Sequence, residues 1–175
     1  KKDKIQFIQN KALELSMFLS IPATIALMIG SEEIVSALFG YGSFDEESVN
    51  NSAKALYFFA IGLPAFALIK VFSSFFFANH DTKTPFYISL VSVVLNIAIS
   101  LYYFNNMGFI IIPIATSISS WFNSIVLFLF LKSEKLFEFN EIFFIRFFKI
   151  IFASILMGFI FNYFISFFEN KLVYD

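Results

Sequence analysis

The sequence predicts an all-α, polytopic bundle of about five transmembrane helices. Three observations predict it. Hydrophobic residues make up 59% of the 175, charged residues only 14%, and the mean hydropathy is +0.80; a soluble domain of this length cannot hide so much apolar surface in one core. The charges fall in clusters. Between the clusters lie apolar stretches of about 18 residues or more, long enough to cross a bilayer as helices.

The first span runs from about Leu13 to Ile29, with Glu14 near its start and Glu32 and Glu33 beyond its end. Pro22 predicts a kink, which a membrane helix tolerates when neighbours satisfy the freed carbonyl. Ile34 to Phe39 reads as a short interfacial turn or helix, and Gly40 to Asn51, rich in Gly, Ser, Asn and acid, as a loop. The second span, Ala55 to Ala78, contains Pro64 and has Lys70 near its far end; a polar link, Asn79 to Pro85, follows. The third span, Phe86 to Phe104, is uncharged but carries Ser89, Ser92, Asn96 and Ser100. Asn105 and Asn106 predict a turn into the fourth span, Gly108 to Leu131, which holds Pro113, Thr116, Ser117, Ser119, Ser120 and Asn123. The chain is expected to divide into a lead-in (1–12), a four-span part (13–131), a charged amphipathic connector (132–149), and a further span with a short tail (150–175).

Orientation follows from the excess of Lys and Arg that marks cytoplasmic segments. With the first residues in the cytoplasm, that side holds Lys1, Lys2, Lys4, Lys11, Lys83, Lys132, Lys135, Arg146 and Lys149, with Lys70 close by. The outer side holds only Lys54 and Lys171, beside Asp45, Glu46 and Glu47. Five crossings leave the carboxyl end outside.

Composition excludes several functions. A net charge of -1 gives no footprint for nucleic acid. The absence of Cys removes disulfides and thiolate metal sites. The 29 Phe are read partly as nucleotide bias, because Phe, Ile, Asn and Lys codons are AT-rich. The first ten residues are too polar for a secretory signal, and a start at Lys1 rather than Met is expected of a chain whose amino end lies further upstream. No nucleophile–base–acid set is apparent, and no span carries the His/Asp pair of a membrane acyltransferase, so the chain is not expected to be an enzyme. His80 beside Asp81 is too small a set for a metal and reads as a solvated loop residue. The pairs Glu32/Glu33 and Glu46/Glu47 read as interfacial carboxylates.

The polar residues inside the spans are more informative, because burying them unpaired in hydrocarbon is costly. Asn96 and Ser100, four apart, share a helix face. Thr116, Ser117, Ser119 and Ser120 give the fourth span a small-residue polar surface, suited to close helix packing or to facing an ion or substrate. Asn96 and Thr116 lie at similar depth on consecutive antiparallel spans and are expected to face each other, with Ser100 nearby. Lys70 either snorkels to the interface or has a functional role.

Four stretches resemble the MurJ/MviN family of the multidrug/oligosaccharidyl-lipid/polysaccharide exporter superfamily. They are LFGYGSF (Leu38–Phe44), GLPAFALIKVFSSFFFANHDTKTP (Gly62–Pro85), IPIATSISSWFNSIVL (Ile112–Leu127) and LKSEKLF (Leu131–Phe137). The motif positions include Gly42, Phe44, Lys70, Asp81, Thr82, Lys83, Thr84 and Pro85. The resemblance implies a two-lobed transporter of two six-helix bundles and two extra helices, of which this chain would be helices nine to thirteen. It implies flipping of a polyprenyl-pyrophosphate-linked glycopeptide, lipid II, across a bacterial inner membrane by alternating access. The expected partners are that substrate, membrane lipid and the amino-terminal lobe of the same protein. The family's cationic substrate-gripping residues would lie in that other part, so none is carried over. Some members hold sodium with an Asn, an acid four residues on, and a Thr on the next helix. Asn96 and Thr116 match, Ile112 would offer its carbonyl, and Ser100 stands where the acid would be. The set is then a hydrogen-bonded clasp or a vestigial cation site. The clasp is favoured because neither span carries a carboxylate. No cofactor is expected, and sodium or proton coupling stays open. The rival readings are a related polysaccharide-lipid or drug/cation exporter, and a small non-transporting membrane protein that binds partners.

Overall fold

The computed structural model describes residues 2–42 and 45–169. Its elements are α1 (Lys2–Ile29), α2 (Ser31–Phe39), α3 (Glu46–Ala78), α4 (Lys83–Met107), a single 3₁₀ turn (Gly108–Ile110), α5 (Ile111–Ser133) and α6 (Glu141–Glu169). Four helical stretches are long and apolar enough to cross a membrane, and one of them, Lys83–Ser133, spans 51 residues. At about 1.5 Å per residue that stretch is more than twice a bilayer's hydrocarbon thickness. It reverses at Gly108, whose φ of 61° suits a residue without Cβ, and α4 packs back on α5. The expected all-α bundle of five crossings is therefore the observed fold.

Several boundaries differ from the sequence expectation, each for a local reason. The loop after α2 is shorter, because the Asp45 carboxylate accepts from Ser48 N at 2.9 Å and caps α3, with Glu46 and Glu47 in the favourable first turn. α4 runs through Asn105 and Asn106 and turns only at Gly108. The lead-in is helical from Lys2 onward. The stretch 132–149 divides into a short connector and, from Glu141, the first turns of α6, which Asn140 starts by accepting from Ile142 N. Phe44 and residues 170–175, the expected outer tail, lie outside the described residues.

The turns on the side of Asp81 and Lys132 are alike. After α3, Asp81 N bonds Phe76 O and His80 N bonds Phe77 O; after α5, Leu136 N bonds Leu131 O and Lys135 N bonds Lys132 O. This pair of bonds closes a helix around a left-handed residue. Here that residue is His80 (φ 60°) or Lys135 (φ 55°) instead of the usual Gly.

α5 is the centre of the bundle, packed against both α3 and α4, while α1 joins α3 to α6. At Gly62 of α3 an added Cβ would stand 2.8 Å from Ser117 Oγ and 3.2 Å from Ser117 Cα, so the small residue sets the α3–α5 spacing. Gly158 performs the same task between α6 and α1, where a Cβ would meet Ile25 Cγ2 at 2.7 Å. Towards the Asp81 end the core is aromatic. Phe137, 1% exposed, stacks on Phe75 at 5.6 Å, and the ring series continues through Phe139 and Phe143 to Phe147. The outward faces are as apolar as the core, with Phe152, Phe159 and Tyr102 more than 70% exposed. That surface fits lipid, and the chain is a multi-pass membrane protein.

The spacing makes one expectation. Gly62→Ala lowers stability in detergent by about 1–3 kcal/mol, the range for overpacking, and Ser117→Gly in the same chain restores part of the loss. Equal stability of Gly62→Ala and the parent in a denaturation series would contradict the spacing role.

Candidate functional site

Inside hydrocarbon each hydroxyl must find an acceptor in the protein. Three of those on α5 turn back on their own helix: Thr116 Oγ1 donates to Ile112 O at 2.8 Å, Ser120 Oγ to Thr116 O at 2.7 Å, and Ser119 Oγ to Thr116 O at 3.0 Å. Each oxygen keeps lone pairs for a donor from elsewhere. Asn96 of α4 supplies one: its Nδ2 donates to Thr116 Oγ1 at 3.1 Å and to Ser119 Oγ at 3.3 Å. One interhelical bond of this kind contributes about 0.6 kcal/mol on average.

Another face of α5 serves α3. Pro64 has no N–H for the carbonyl of Ala60, and nearby carbonyls of α3 are met from α5. Ser117 Oγ donates to Phe58 O at 2.6 Å, and Trp121 Nε1 donates to Ile61 O at 3.0 Å. The polar residues of α5 are thus divided between two neighbours.

Between α3, α4 and α5 lies a cavity of about 290 Å³, walled by Phe66 and Ile69 on α3 and otherwise mainly by polar side chains. Asn96 and Thr116 line it, as do Ser89, Ser92, Ser119, Ser120 and Asn123. The structure therefore brings Asn96 and Thr116 together. Ser100, one turn along α4, has its Oγ buried without a partner. Ile112 presents its carbonyl to Thr116. α4 and α5 contain no Asp or Glu, and among the described residues no three His, Cys, Asp or Glu side chains gather as for a metal. Neutral amide and hydroxyl oxygens fit a hydrogen-bonded clasp better than a bare hard cation.

The motif positions lie elsewhere. Lys70 is exposed. Gly42 takes φ 71° in the turn after α2. Asp81 Oδ1 accepts from Lys83 N and Thr84 N, both at 3.0 Å, and so caps α4. Its carboxyl is held below the ordinary Asp range, first by the Thr84 side chain and then by the Thr84 N–H. Thr82 and Lys83 are exposed. Pro85 is buried in the first turn of α4, where a missing N–H costs least. Asp81 to Pro85 build the α3–α4 turn, and none of these motif residues lines the cavity.

Sequence reasoning missed a second stitch: Asn123 Nδ2 donates to Ser89 Oγ at 3.3 Å. A signal was present, because Ser89 lies seven residues before Asn96 and Asn123 seven after Thr116, keeping both on the same helix faces. It also missed a long-range clamp. Asn10 of α1 donates through Nδ2 to Glu138 O at 2.9 Å and accepts through Oδ1 from Asn140 N at 3.0 Å. Gln9 donates to Leu136 O at 3.2 Å. Together they hold the α5–α6 connector against α1.

Comparison with known proteins places this geometry. The family profile described as "Lipid II flippase MurJ" matches residues 1–175. The probable lipid II flippase MurJ of Rickettsia prowazekii is 40% identical over 118 residues, 67% of this chain and 23% of that one. That of Thermotoga maritima is 38% identical over 143 residues, 82% of this chain and 28% of that one. A solved structure, lipid II flippase MurJ in an inward closed conformation, superposes with a TM-score of 0.79 at 26% identity, covering 91% of this chain and 33% of that one. The chain thus spans about a quarter of the length of these curated relatives.

A double-mutant cycle of Asn96→Ala with Thr116→Val is expected to give a coupling of about 0.6 kcal/mol, the average for interhelical hydrogen bonds. The coupling and the thermal midpoint are expected to stay the same when choline replaces sodium. A midpoint raised by sodium in the parent and not in Thr116→Val would instead indicate a bound cation.

Proposed function

Because the chain belongs to the lipid II flippase MurJ family, we propose that it forms part of a transporter that moves a lipid-linked peptidoglycan precursor across a bacterial inner membrane. The supporting observation is the family match along the whole chain, joined to a helix bundle that superposes on part of a solved flippase. In this reading α1 to α5 belong to one lobe of a two-lobed protein, and α6 is the first of an extra pair of helices. Translocation proceeds by alternating access, the lobes rocking around a central cavity. It makes and breaks no covalent bond, so the protein acts as a carrier and not as an enzyme. The substrate's charged head is gripped by residues outside this chain. Within it, Asn96 and Thr116 hold α4 to α5 as a clasp, so the lobe moves as one body. The Asp81–Pro85 turn fixes the α3–α4 connection.

The chimera test is direct. Residues 1–175 replace the matching segment of the Thermotoga maritima relative, and the product is expressed in a flippase-depleted cell. The chimera is expected to restore growth, and the 175-residue chain by itself is not. Growth supported by the chain alone would remove the two-lobe reading. A membrane-inserted chimera that fails to support growth would remove the flippase reading.

The Lys and Arg asymmetry supports an orientation in which the turn at Asp81 is cytoplasmic and the α2–α3 turn is outside. With an impermeant thiol reagent applied to intact cells, Asn50→Cys is expected to label and Thr82→Cys is not. The reversed pattern would invert the topology.

A further inference from the structure

α1 and α6 start at the same end of the bundle and run side by side in one direction. Asn10 meets the connector at Glu138 and Asn140, Arg146 Nη1 donates to Glu14 Oε2 at 2.7 Å, and further along Gly158 lies against Ile25. Two cavities follow one another along this pair. The first, of about 380 Å³, is bordered by Lys11 and Glu14 of α1 and by Arg146 and Lys149 of α6. The second, of about 340 Å³, is walled by Pro22, Ala153 and Met157. Phe18, Lys149 and Ile150 belong to both, so a charged end continues into an apolar one. Lys11, Leu15, Phe18, Arg146, Lys149 and Ala153 are all exposed, so the groove opens on the outside of the bundle.

The charged end holds a surplus of cations. Glu14 is the one carboxylate there, and it accepts from Lys11 Nζ at 3.3 Å as well as from Arg146. Lys149 makes no ion pair among the described residues. A guanidinium carries five N–H donors and an ammonium three, so most of these donors are unspent. Their depth is informative. Lys11 lies just before the first apolar run and Lys149 immediately before the last, which begins at Ile150. Cations at the border of the hydrocarbon stand at the level of lipid phosphates. From Ile150 to Met157 the groove then follows α6 for about 10 Å into the hydrocarbon, at 1.5 Å per residue. Ser154 lines this part but spends its hydroxyl on Ile150 O at 2.7 Å, which leaves the wall without a free donor at that point. A free phosphate would satisfy the charged end and leave the apolar end empty. A zwitterionic lipid brings an ammonium that the three cations repel.

We propose that the α1–α6 groove binds an anionic phospholipid of the surrounding bilayer. Lys149, Arg146 and Lys11 hold its phosphate, and the upper part of one acyl chain lies over Phe18 and Ala153. The lipid fills the seam between α1 and the helix that α1 anchors. The inference rests on the chain spanning a membrane and does not depend on what the transporter carries.

The full chain is purified in a neutral detergent and titrated with phosphatidylglycerol or with phosphatidylcholine of the same acyl chains, and bound lipid is counted by native mass spectrometry. Phosphatidylglycerol is expected to bind more tightly. Lys149→Gln breaks no ion pair among the described residues and is expected to weaken phosphatidylglycerol about fivefold, the effect of one cation near a membrane surface. Lys132→Gln removes the same charge at the same end of the bundle but outside the groove, and is expected to change nothing. Ala153→Trp fills the apolar end and is expected to weaken phosphatidylglycerol without altering any charge. Equal affinity for the two lipids, an equal effect of Lys132→Gln and Lys149→Gln, or indifference to Ala153→Trp would each overturn the site. Inorganic phosphate in large excess is expected to leave the lipid bound; displacement would reduce the groove to an anion site and overturn the lipid. A polyprenyl phosphate that displaced phosphatidylglycerol at equal concentration would make the groove a substrate site and overturn the proposal. In the chimera with the Thermotoga maritima relative, Lys149→Gln is expected to weaken phosphatidylglycerol by the same factor. No effect there would mean that another part of the transporter covers the groove, and would overturn the proposal as well.

Discussion

Inside a bilayer a polar group finds its partner within the protein or not at all, and the arrangement of α5 follows from that constraint. α5 carries seven Ser, Thr and Asn side chains in its 23 residues. Its Thr116, Ser119 and Ser120 hydroxyls first bond their own helix, which lets a Ser- and Thr-rich segment exist in hydrocarbon. What remains is shared between neighbours. Ser117 and Trp121 meet carbonyls of α3 near Pro64, and Thr116, Ser119 and Asn123 meet amide and hydroxyl groups of α4. The central position of α5 is thus a consequence of its polarity as much as of its shape. Small residues then determine how near the helices come, Gly62 against Ser117 being the closest such approach on this side.

The end of the bundle near Asp81 and Lys132 uses different chemistry. There the chain leaves its helices through two similar turns, each with a side-chain-bearing residue in the left-handed region. Such a residue costs about 1–2 kcal/mol, so the packing around the turns must offset it. The aromatic series from Phe75 through Phe137 to Phe147 lies beside the second turn and joins α3, the connector and α6. Asn10 completes the arrangement by offering one side-chain amide as both donor and acceptor to the connector backbone. α6 is consequently held at its base and by α1 along its length, with an apolar cavity between it and α3 and α5.

Two volumes of opposite character therefore flank α5. The one towards α6 is lined mainly by Phe, Leu and Ile. The one towards α4 is lined by amide and hydroxyl side chains beside Phe66, Ile69 and Val93. The bundle thus combines a polar seam between tightly stitched helices with an apolar space beside a more loosely attached helix. The stitches keep α3, α4 and α5 together while α6 is anchored chiefly through α1 and the connector.

Much of this was legible in the amino-acid order. Apolar runs separated by clustered charges determined the all-α class and five crossings, because backbone groups in hydrocarbon must bond within their own segment. The seven-residue relation of Ser89 to Asn96 and of Thr116 to Asn123 held the information for a second stitch, since helix periodicity alone puts them on shared faces. The reversal at Gly108 rather than at Asn105 and Asn106 was less legible, as one glycine conformation decides it. Asn10 and the connector were beyond reach: their partners lie about 130 residues apart, and no local pattern encodes a contact made by two helix ends meeting in space. The unpaired Asn123 Oδ1 was equally hidden. The sequence by itself determined which side chains sit at membrane depth and on which helix face. Only the tertiary structure decided which of them found partners, because a hydrogen bond requires atoms about 3 Å apart and that proximity arises from how the helices pack.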